Sequence, residues 1–327
     1  MRKFKWGILA PGTIAHKFAN GLAAIPGAIL YAVGSRDINR ADAFAKKYGF
    51  QKAYGSYREL AEDPHVDIIY VATPHPFHEE AAMLCLLNGK AVICEKPFGV
   101  NSRQAERMIQ CAMKNNVFLM EAMWTRFLPT MCRARELIAE GAIGDPRFVA
   151  ADFGFRTNVN PEGRLFAPAL GGGSLLDVGI YNLSLCSMVF GRQPDRVQSR
   201  MLIGSTGVDE ECSLLLSYRE GQSAQLFSAI RLATPQRALI MGEGGHIELP
   251  MYWHGTSLTL HSSGKSQEFE LPYEASGYQF EALEVMRCLE EGLKESPVMP
   301  LDETLAIMKT ADLIRKDNKL SYPCDEE

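Results

Sequence analysis

Two sets of residues in this 327-residue chain have the types and spacing to do chemistry. The first is Lys96, in Glu95-Lys96-Pro97, at the end of the short apolar run Ala91–Cys94. The β-branched pair Val92-Ile93 marks that run as a strand buried on both faces, and Pro97 and Gly99 break the backbone after it. In an open α/β sheet the carboxyl ends of the strands form the ligand crevice, so a rigid strand would present Lys96 there. An exposed Glu–Lys pair merely capping a strand is the plainer reading. The second set is Asp177 and Tyr181, four residues apart behind Gly171-Gly172-Gly173-Ser174. On a helix that spacing stacks a carboxylate and a phenol on one face, one turn apart. The plainer reading is a core tyrosine with an N-terminal Asp favoured by the helix dipole.

An ammonium, a carboxylate and a phenol form an acid–base set for a reaction in which a proton leaves or joins an oxygen. A phenol titrates near pH ~10, too high for a base at neutrality. A lysine ammonium about 4 Å away would favour the phenolate by up to about 4 kcal/mol at an effective dielectric of ~20. That is about three pK units before desolvation opposes it. Lys96 would bring Tyr181 toward neutrality and stabilise a developing alkoxide, while Asp177 accepts from a substrate hydroxyl or orients Lys96. Oxidising an alcohol this way also requires a hydride acceptor.

The first third of the chain is organised to hold one. Phe4–Ala10 reads as a strand, and Pro11–Ala15 as a tight turn opening a helix. The turn spells Ala10-x-Gly12-x-x-Ala15, a relaxed dinucleotide fingerprint. Gly12 lets backbone approach a pyrophosphate, which Thr13 and Ile14 at the helix N-terminus would then bind. The strand Ile29–Gly34 ends in Ser35-Arg36-Asp37, where an acidic residue would bind the ribose of NAD. Here a hydroxyl and a guanidinium come first, suited to the 2′-phosphate of NADP. The alternative is a solvated Arg36 with Asp37 as the ribose ligand.

After the strand Val66–Ala72 comes Thr73-Pro74-His75-Pro76-Phe77-His78. Two histidines three apart suggest a metal pair, but no partner has suitable spacing, so this loop is expected to line the nicotinamide side of the crevice. Helices are expected at 39–48, at about 102–115 and between Ser56-x-x-Glu59 and the next strand, with a last strand at 117–120. Strand and helix alternate throughout, which predicts a doubly wound parallel sheet, a Rossmann domain over residues 1–122. Glu121–Phe127 then crosses to a second domain, 123–327. Within the crossing, Trp124 and Arg126 are either site residues or a packing aromatic and its surface partner.

The second domain reads as α/β, its sheet beginning at Asp152–Arg156. Short runs from about 194 to 271, separated by Gly204, Glu220-Gly221 and Gly244-Gly245, predict hairpins of an open, largely antiparallel sheet. One exposed apolar face of such a sheet would be buried by dimerisation. Trp253 and Phe280 are candidate walls for a flat apolar substrate, or core.

Bulk properties narrow the class. Thirty-four basic and 39 acidic residues leave a net charge of −5 with no basic run, which argues against nucleic-acid binding. No apolar stretch is expected to span a membrane, and the first residues lack a signal-peptide core. Eight cysteines without C-x-x-C or His-paired spacing point to a reduced, cytoplasmic, metal-free protein.

Taken together, Ala10-x-Gly12-x-Ile14-Ala15, Thr73-Pro74-His75-x-x-His78 and Glu95-Lys96-Pro97 resemble the Gfo/Idh/MocA oxidoreductases. The resemblance implies a Rossmann domain, a C-terminal α/β domain with an open antiparallel sheet, pairing of subunits through that sheet, and Lys96 as an active-site residue. The family's Asp-x-Gly-x-His or Asp-x-Gly-x-Tyr pattern falls on Asp177–Tyr181. The tyrosine version, with Ser35-Arg36 and the 121–127 stretch, is most similar to the NADP-dependent dihydrodiol and D-xylose dehydrogenase branch.

The expected set is therefore Lys96, Tyr181 and Asp177 as catalytic residues. Gly12, Thr13, Ile14, Ser35, Arg36, Thr73, Pro74, His75, His78, Glu95, Lys96, Trp124 and Arg126 are expected at NADP. Trp124, Phe155, Trp253 and Phe280 join the catalytic set at the substrate, a diol, sugar or carbonyl. The alternatives are an NAD-linked inositol or sugar dehydrogenase, a cofactor-recycling glycosidase and a non-catalytic NADP sensor.

Overall fold

A computed structural model describes residues 2–325 and divides the chain into two compact units. The first contains residues up to Trp124 together with Glu274–Leu305, and the second Thr125–Tyr273 together with residues from Ala306. The sequence placed the boundary at 122–123 and assigned everything beyond it to the second domain. The return of Glu274–Leu305 to the first unit was not expected.

In the first unit, strands β1 (Phe4–Leu9), β2 (Ala28–Gly34), β3 (Lys52–Tyr54), β4 (Ile68–Val71), β5 (Ala91–Glu95) and β6 (Leu119–Ala122) form one parallel sheet in the order 3-2-1-4-5-6. The alternating helices are α1 (Thr13–Ala23), α2 (Ile38–Tyr48), α3 (Tyr57–Glu62), α4 (His78–Leu87) and α5 (Ser102–Asn115). Their ends follow local chemistry. Asp37 caps α2 by accepting from the Asn39 N–H, and Gly49 closes it with φ +80°, as Ser56 and Asn101 cap α3 and α5. Strands β4 and β5 are buried along their whole length, as a sheet covered on both faces requires. The order reverses between β1 and β4, so the crevice lies beyond their carboxyl ends, where Ala10–Gly12 and Thr73 stand.

The returning segment carries α8 (Gln279–Glu290), which packs on α1 at Gly21. A Cβ there would stand 2.7 Å from the Gln279 amide nitrogen. Only glycine permits that approach.

In the second unit, α6 (Pro129–Ala139) precedes β7 (Pro146–Gly154). A π-turn at Leu175–Gly179 runs into α7 (Ile180–Phe190). The remaining strands are β8 (Arg196–Ile203), β9 (Asp209–Ser217), β10 (Ser223–Ala229), β11 (Ala238–Gly242), β12 (Gly245–Leu249), β13 (Ser257–Ser262) and β14 (Lys265–Glu270). The sheet order is 14-13-12-11-7-10-9-8, antiparallel except where β10 pairs with β7. β7 is the first strand of this sheet in chain order, as expected, but starts six residues earlier and lies inside the sheet. Helix α9 (Leu301–Asp317) follows.

One segment departs from the expectation about membranes. By length and composition alone, Pro168–Phe190 could cross a bilayer, but 89% of its apolar window is buried inside the protein. It is a core segment, and it carries Asp177 and Tyr181.

Candidate functional site

The first unit builds a cradle from backbone. Ala10 adopts φ +71°, the left-handed region that ordinarily favours glycine, and its carbonyl accepts from the Gly12 N–H at 2.8 Å. Gly12 is the N-cap of α1, with no side-chain cap and no acidic residue in the first turn. A Cβ on Gly12 would meet nothing within 4 Å. The first-turn amides of Thr13 and Ile14 thus open onto free space under the positive end of α1, a fit for a diphosphate. Buried at the end of β4, the Thr73 hydroxyl oxygen has no hydrogen-bond partner among the described residues.

At the end of β2, Ser35 is buried and its Oγ accepts from the Asp37 N–H at 3.2 Å. Arg36 is exposed at the tip, while Asp37 spends one carboxylate oxygen on the N-terminus of α2.

Three expected cofactor ligands hold the site from behind. Glu95 is 5% exposed and turns inward, where the Tyr70 hydroxyl donates to Oε1 and the Lys96 N–H donates to Oε2 at 3.2 Å. The Tyr70 ring stacks flat on Phe18 of α1 at 3.7 Å. Glu95 therefore anchors the backbone of half-buried Lys96. The His78 ring is fully buried between two carbonyls, Pro97 at 2.9 Å from Nδ1 and Thr73 at 2.8 Å from Nε2. Burial pushes its pKa down to about 4, against the pull of those carbonyls. A neutral ring carries one N–H, so it donates to one of the two carbonyls while it packs between the Thr73 loop and the Lys96-Pro97 turn. Trp124 is buried and stacks on Tyr278 at 4.4 Å, the packing reading of that residue.

Other expected residues of this unit sit as follows. Pro74 precedes the short helical turn His75–Phe77, and the buried His75 ring lies 5.8 Å from that of His78. Among the described residues no group of three or more His, Cys, Asp or Glu is placed to hold a metal. Phe280 is partly exposed on α8, whereas Trp253 belongs to the other unit.

Glu281 was not singled out from the sequence. Fully buried on α8, neither of its carboxyl oxygens has a hydrogen-bond partner. Burial, then the Glu95 charge, holds it well above the usual carboxylate range.

The second unit carries the acid–base pair. Asp177 lies in the π-turn and Tyr181 in the first turn of α7, and both are buried. Such turns recur at functional sites. Arg164 donates to Asp177, a partner that no spacing rule reveals because it comes from the irregular 155–170 loop.

Tyr181 is buried, its ring 5.4 Å from that of Phe153. Phe153 stacks on Trp253 at 4.8 Å, and the Trp253 Nε1 donates to Gln236 at 2.8 Å. Tyr252 donates to Asn182 at 2.6 Å. Trp253 thus belongs to an aromatic wall around Tyr181, with Phe153 the member the sequence did not single out. Phe155 follows β7 and pairs its N–H with the Ala229 carbonyl.

Arg126, expected at the cofactor, is buried in this unit. Its guanidinium donates to Ser184 Oγ at 2.9 Å and to the Ser184 carbonyl at 2.8 Å. It braces α7 one turn beyond Tyr181.

Known proteins resemble the chain along nearly its whole length. Residues 4–123 match the family model described as oxidoreductase family, NAD-binding Rossmann fold, and residues 131–248 match the GFO/IDH/MocA C-terminal domain. A mouse protein named trans-1,2-dihydrobenzene-1,2-diol dehydrogenase is 40% identical, over 98% of this chain and 99% of its own. The human protein of that name is 38% identical with the same coverage. Among solved structures, the Caulobacter crescentus aldose–aldose oxidoreductase with glycerol superimposes with a TM-score of 0.89 at 25% identity, over 97% of this chain and 98% of its own. A 3-ketoreductase from Actinomadura kijaniata with NADP and TDP-benzene, 23% identical, has a TM-score of 0.85 over 96% and 98% of the two chains.

Proposed function

Because the chain belongs to the Gfo/Idh/MocA oxidoreductase family, we propose that it is an NADP-dependent dehydrogenase interconverting a secondary alcohol and its carbonyl. The favoured substrate is a trans-dihydrodiol, with sugars and dicarbonyls as the wider class. The observation that carries this reading is Tyr181, a buried phenol four residues after Asp177, with its ring against Phe153 and, through Phe153, the Trp253 stack. A flat unsaturated ring suits that wall, and relatives near 40% identity bear the dihydrodiol dehydrogenase name.

Bound at the α1 cradle, the nicotinamide cofactor supplies the hydride acceptor. Gly12, Thr13 and Ile14 bind its diphosphate through backbone N–H groups. Thr73, Pro74 and His75 border the nicotinamide side. Ser35 and Arg36 hold the 2′-phosphate, a reading supported by Asp37 being engaged at the α2 N-terminus. In oxidation Tyr181, as the phenolate, takes the hydroxyl proton and becomes the phenol, and Lys96 stabilises the alkoxide as it forms. In reduction Tyr181 returns that proton. Asp177 and Arg164 orient the neighbouring hydroxyl of the substrate, and Trp253, with Phe155 and Phe280 as further candidates, lines its apolar face.

The homodimer remains part of the proposal. The outer face of the C-terminal sheet is open and carries a shallow groove along Arg200, Leu215, Phe227, Arg237 and Leu239. The eight cysteines are free thiols, which supports a reducing, cytoplasmic setting.

A specific observation also keeps a sugar substrate in view, the likeness to an aldose–aldose oxidoreductase. The test is a turnover screen of trans-dihydrodiols, aldoses, inositols and dicarbonyls with NADP(H) and NAD(H). NADP-linked oxidation of dihydrodiols is expected. NAD-linked turnover of inositols would overturn the reading, and cofactor binding without turnover would favour a sensor.

A further inference from the structure

The helix that bears Asp177 and Tyr181 has an unusual start. Its first turn is π-wide and follows three glycines, a segment with little stiffness of its own. Two residues from distant parts of the chain, neither near Tyr181 in sequence, hold that start.

Asp209, the first residue of β9, is fully buried. Its Oδ2 accepts from the Ser174 hydroxyl at 2.8 Å and from the Leu175 N–H at 2.7 Å. The Ser174 hydroxyl also lies 3.2 Å from that of Ser228 on β10. Tyr322, beyond α9, donates its hydroxyl to the Gly172 carbonyl at 2.5 Å. Arg315 and Asp325 secure the Tyr322 segment. Arg315 donates to Asp325 at 2.7 and 3.2 Å, and Asp325 accepts from the Tyr322 N–H at 2.8 Å.

Both holds converge at Gly173, which has φ +119°. A Cβ there would run into Asp209 Oδ1 and lie 3.1 Å from the Tyr322 hydroxyl. Oδ1 itself has no hydrogen-bond partner among the described residues. The Tyr322 proton is committed to Gly172, so Tyr322 has none to give it.

We propose that Asp209 and Tyr322 are positioning residues that clamp the Gly171–Ser174 turn and thereby set the stance of Asp177 and Tyr181. The effect on rate rests on the dehydrogenase reading, whereas the clamp itself does not. Burial pushes the Asp209 carboxyl up to about 7, against its hydrogen bonds from Ser174 and Leu175. An amide keeps the carboxyl's size and an oxygen that can accept from Ser174 and Leu175, so Asp209→Asn is the conservative variant.

The test uses Asp209→Ala, Asp209→Asn and Tyr322→Phe in the full-length protein. Hydrogen–deuterium exchange over residues 171–183 reads the clamp without any assay of turnover. Tyr322→Phe and Asp209→Ala are expected to speed exchange there at least tenfold, while residues 4–95 exchange as in wild type. In steady-state kinetics both should lower kcat at least tenfold with NADPH affinity unchanged, and Asp209→Asn should restore most of it.

Wild-type exchange at 171–183 in Tyr322→Phe would overturn the clamp, even if Asp209→Ala fails to fold. Loosened exchange with unchanged kcat would overturn its bearing on catalysis. Should the wild type turn over nothing, the dehydrogenase reading fails, and exchange alone decides whether the clamp exists.

Discussion

Arg164 donates to Asp177 Oδ1 at 2.7 Å and to Oδ2 at 3.5 Å, which joins a guanidinium 48% exposed to a carboxylate only 7% exposed. The exposed half of this pair faces water, where it can share its donors with an incoming hydroxyl. The buried half loses one of its donors if Arg164 goes, a modest loss because the pair opens onto water on the guanidinium side.

Arg164→Ala should accordingly cost about 1 kcal/mol in stability, little because the guanidinium is well solvated. It should cost more in catalysis, about tenfold in kcat/KM and mostly through KM. Arg164→Lys should recover only part, since an ammonium cannot reproduce two parallel donors. Steady-state kinetics beside thermal melts checks both. An unchanged KM in Arg164→Ala would remove Arg164 from the site.

Arg36 stands exposed where β2 ends, and Asp37 is occupied as a helix cap. Removing a charge-assisted bond to a phosphate costs about 1.5–3 kcal/mol, or about 10–100-fold in affinity. Arg36→Ala should lose that much NADPH affinity and leave NADH affinity within about twofold. Fluorescence titration with both cofactors reads it directly. Equal loss for both would return Arg36 to the role of a surface charge.

Two glycines should separate binding from folding. The space beside Gly12 is open and its φ of −89° suits any residue. Gly12→Ala should melt like wild type yet bind NADPH at least about tenfold more weakly, because the new methyl stands where the diphosphate must approach the backbone. Gly173→Ala meets Asp209 at a φ of +119° and should destabilise the fold by about 3 kcal/mol or more. Melting curves and NADPH titrations of the pair should show opposite patterns.

His78 gives a pH dependence whose sign follows from burial. Its folded pKa is about 4, below the unfolded 6.5. The unfolded chain takes up this proton first, so the stabilising contribution is present above pH 6.5 and is lost as pH falls through 4. The full loss is about 3 kcal/mol at 1.36 kcal/mol per unit. Urea unfolding at pH 7 and pH 4.5 should show wild type losing more stability than His78→Gln. Parallel losses would show that His78 is not buried neutral.

Much of the nucleotide-binding half was legible because its rules are local. Alternating strands and helices, Gly12 at a turn, and the caps Ser56 and Gly49 each act within a few residues, and the six-stranded parallel sheet follows from them. Strand β3 went unseen because three residues, none fully buried, carry no periodicity. Glu95, His78 and Arg126 were placed at the cofactor from their neighbours in sequence. Their side chains contact Tyr70, two carbonyls and Ser184, partners set by packing that no motif records. Arg164, Asp209 and Glu281 were missed for the same reason. The π-turn at Leu175–Gly179 was read as regular helix, since i and i+4 spacing alone cannot distinguish the two.

The most direct test of the account is Tyr181→Phe, assayed for turnover and for NADPH binding on the same preparation. The phenol hydroxyl is assigned the proton transfer, and the ring is assigned to packing against Phe153. Loss of a general acid–base group costs about 10²–10⁴ in rate. The account predicts a fall in kcat of that size, with NADPH affinity and melting temperature unchanged. A variant that retains wild-type kcat would contradict it, and the proton would have to be handled by another group.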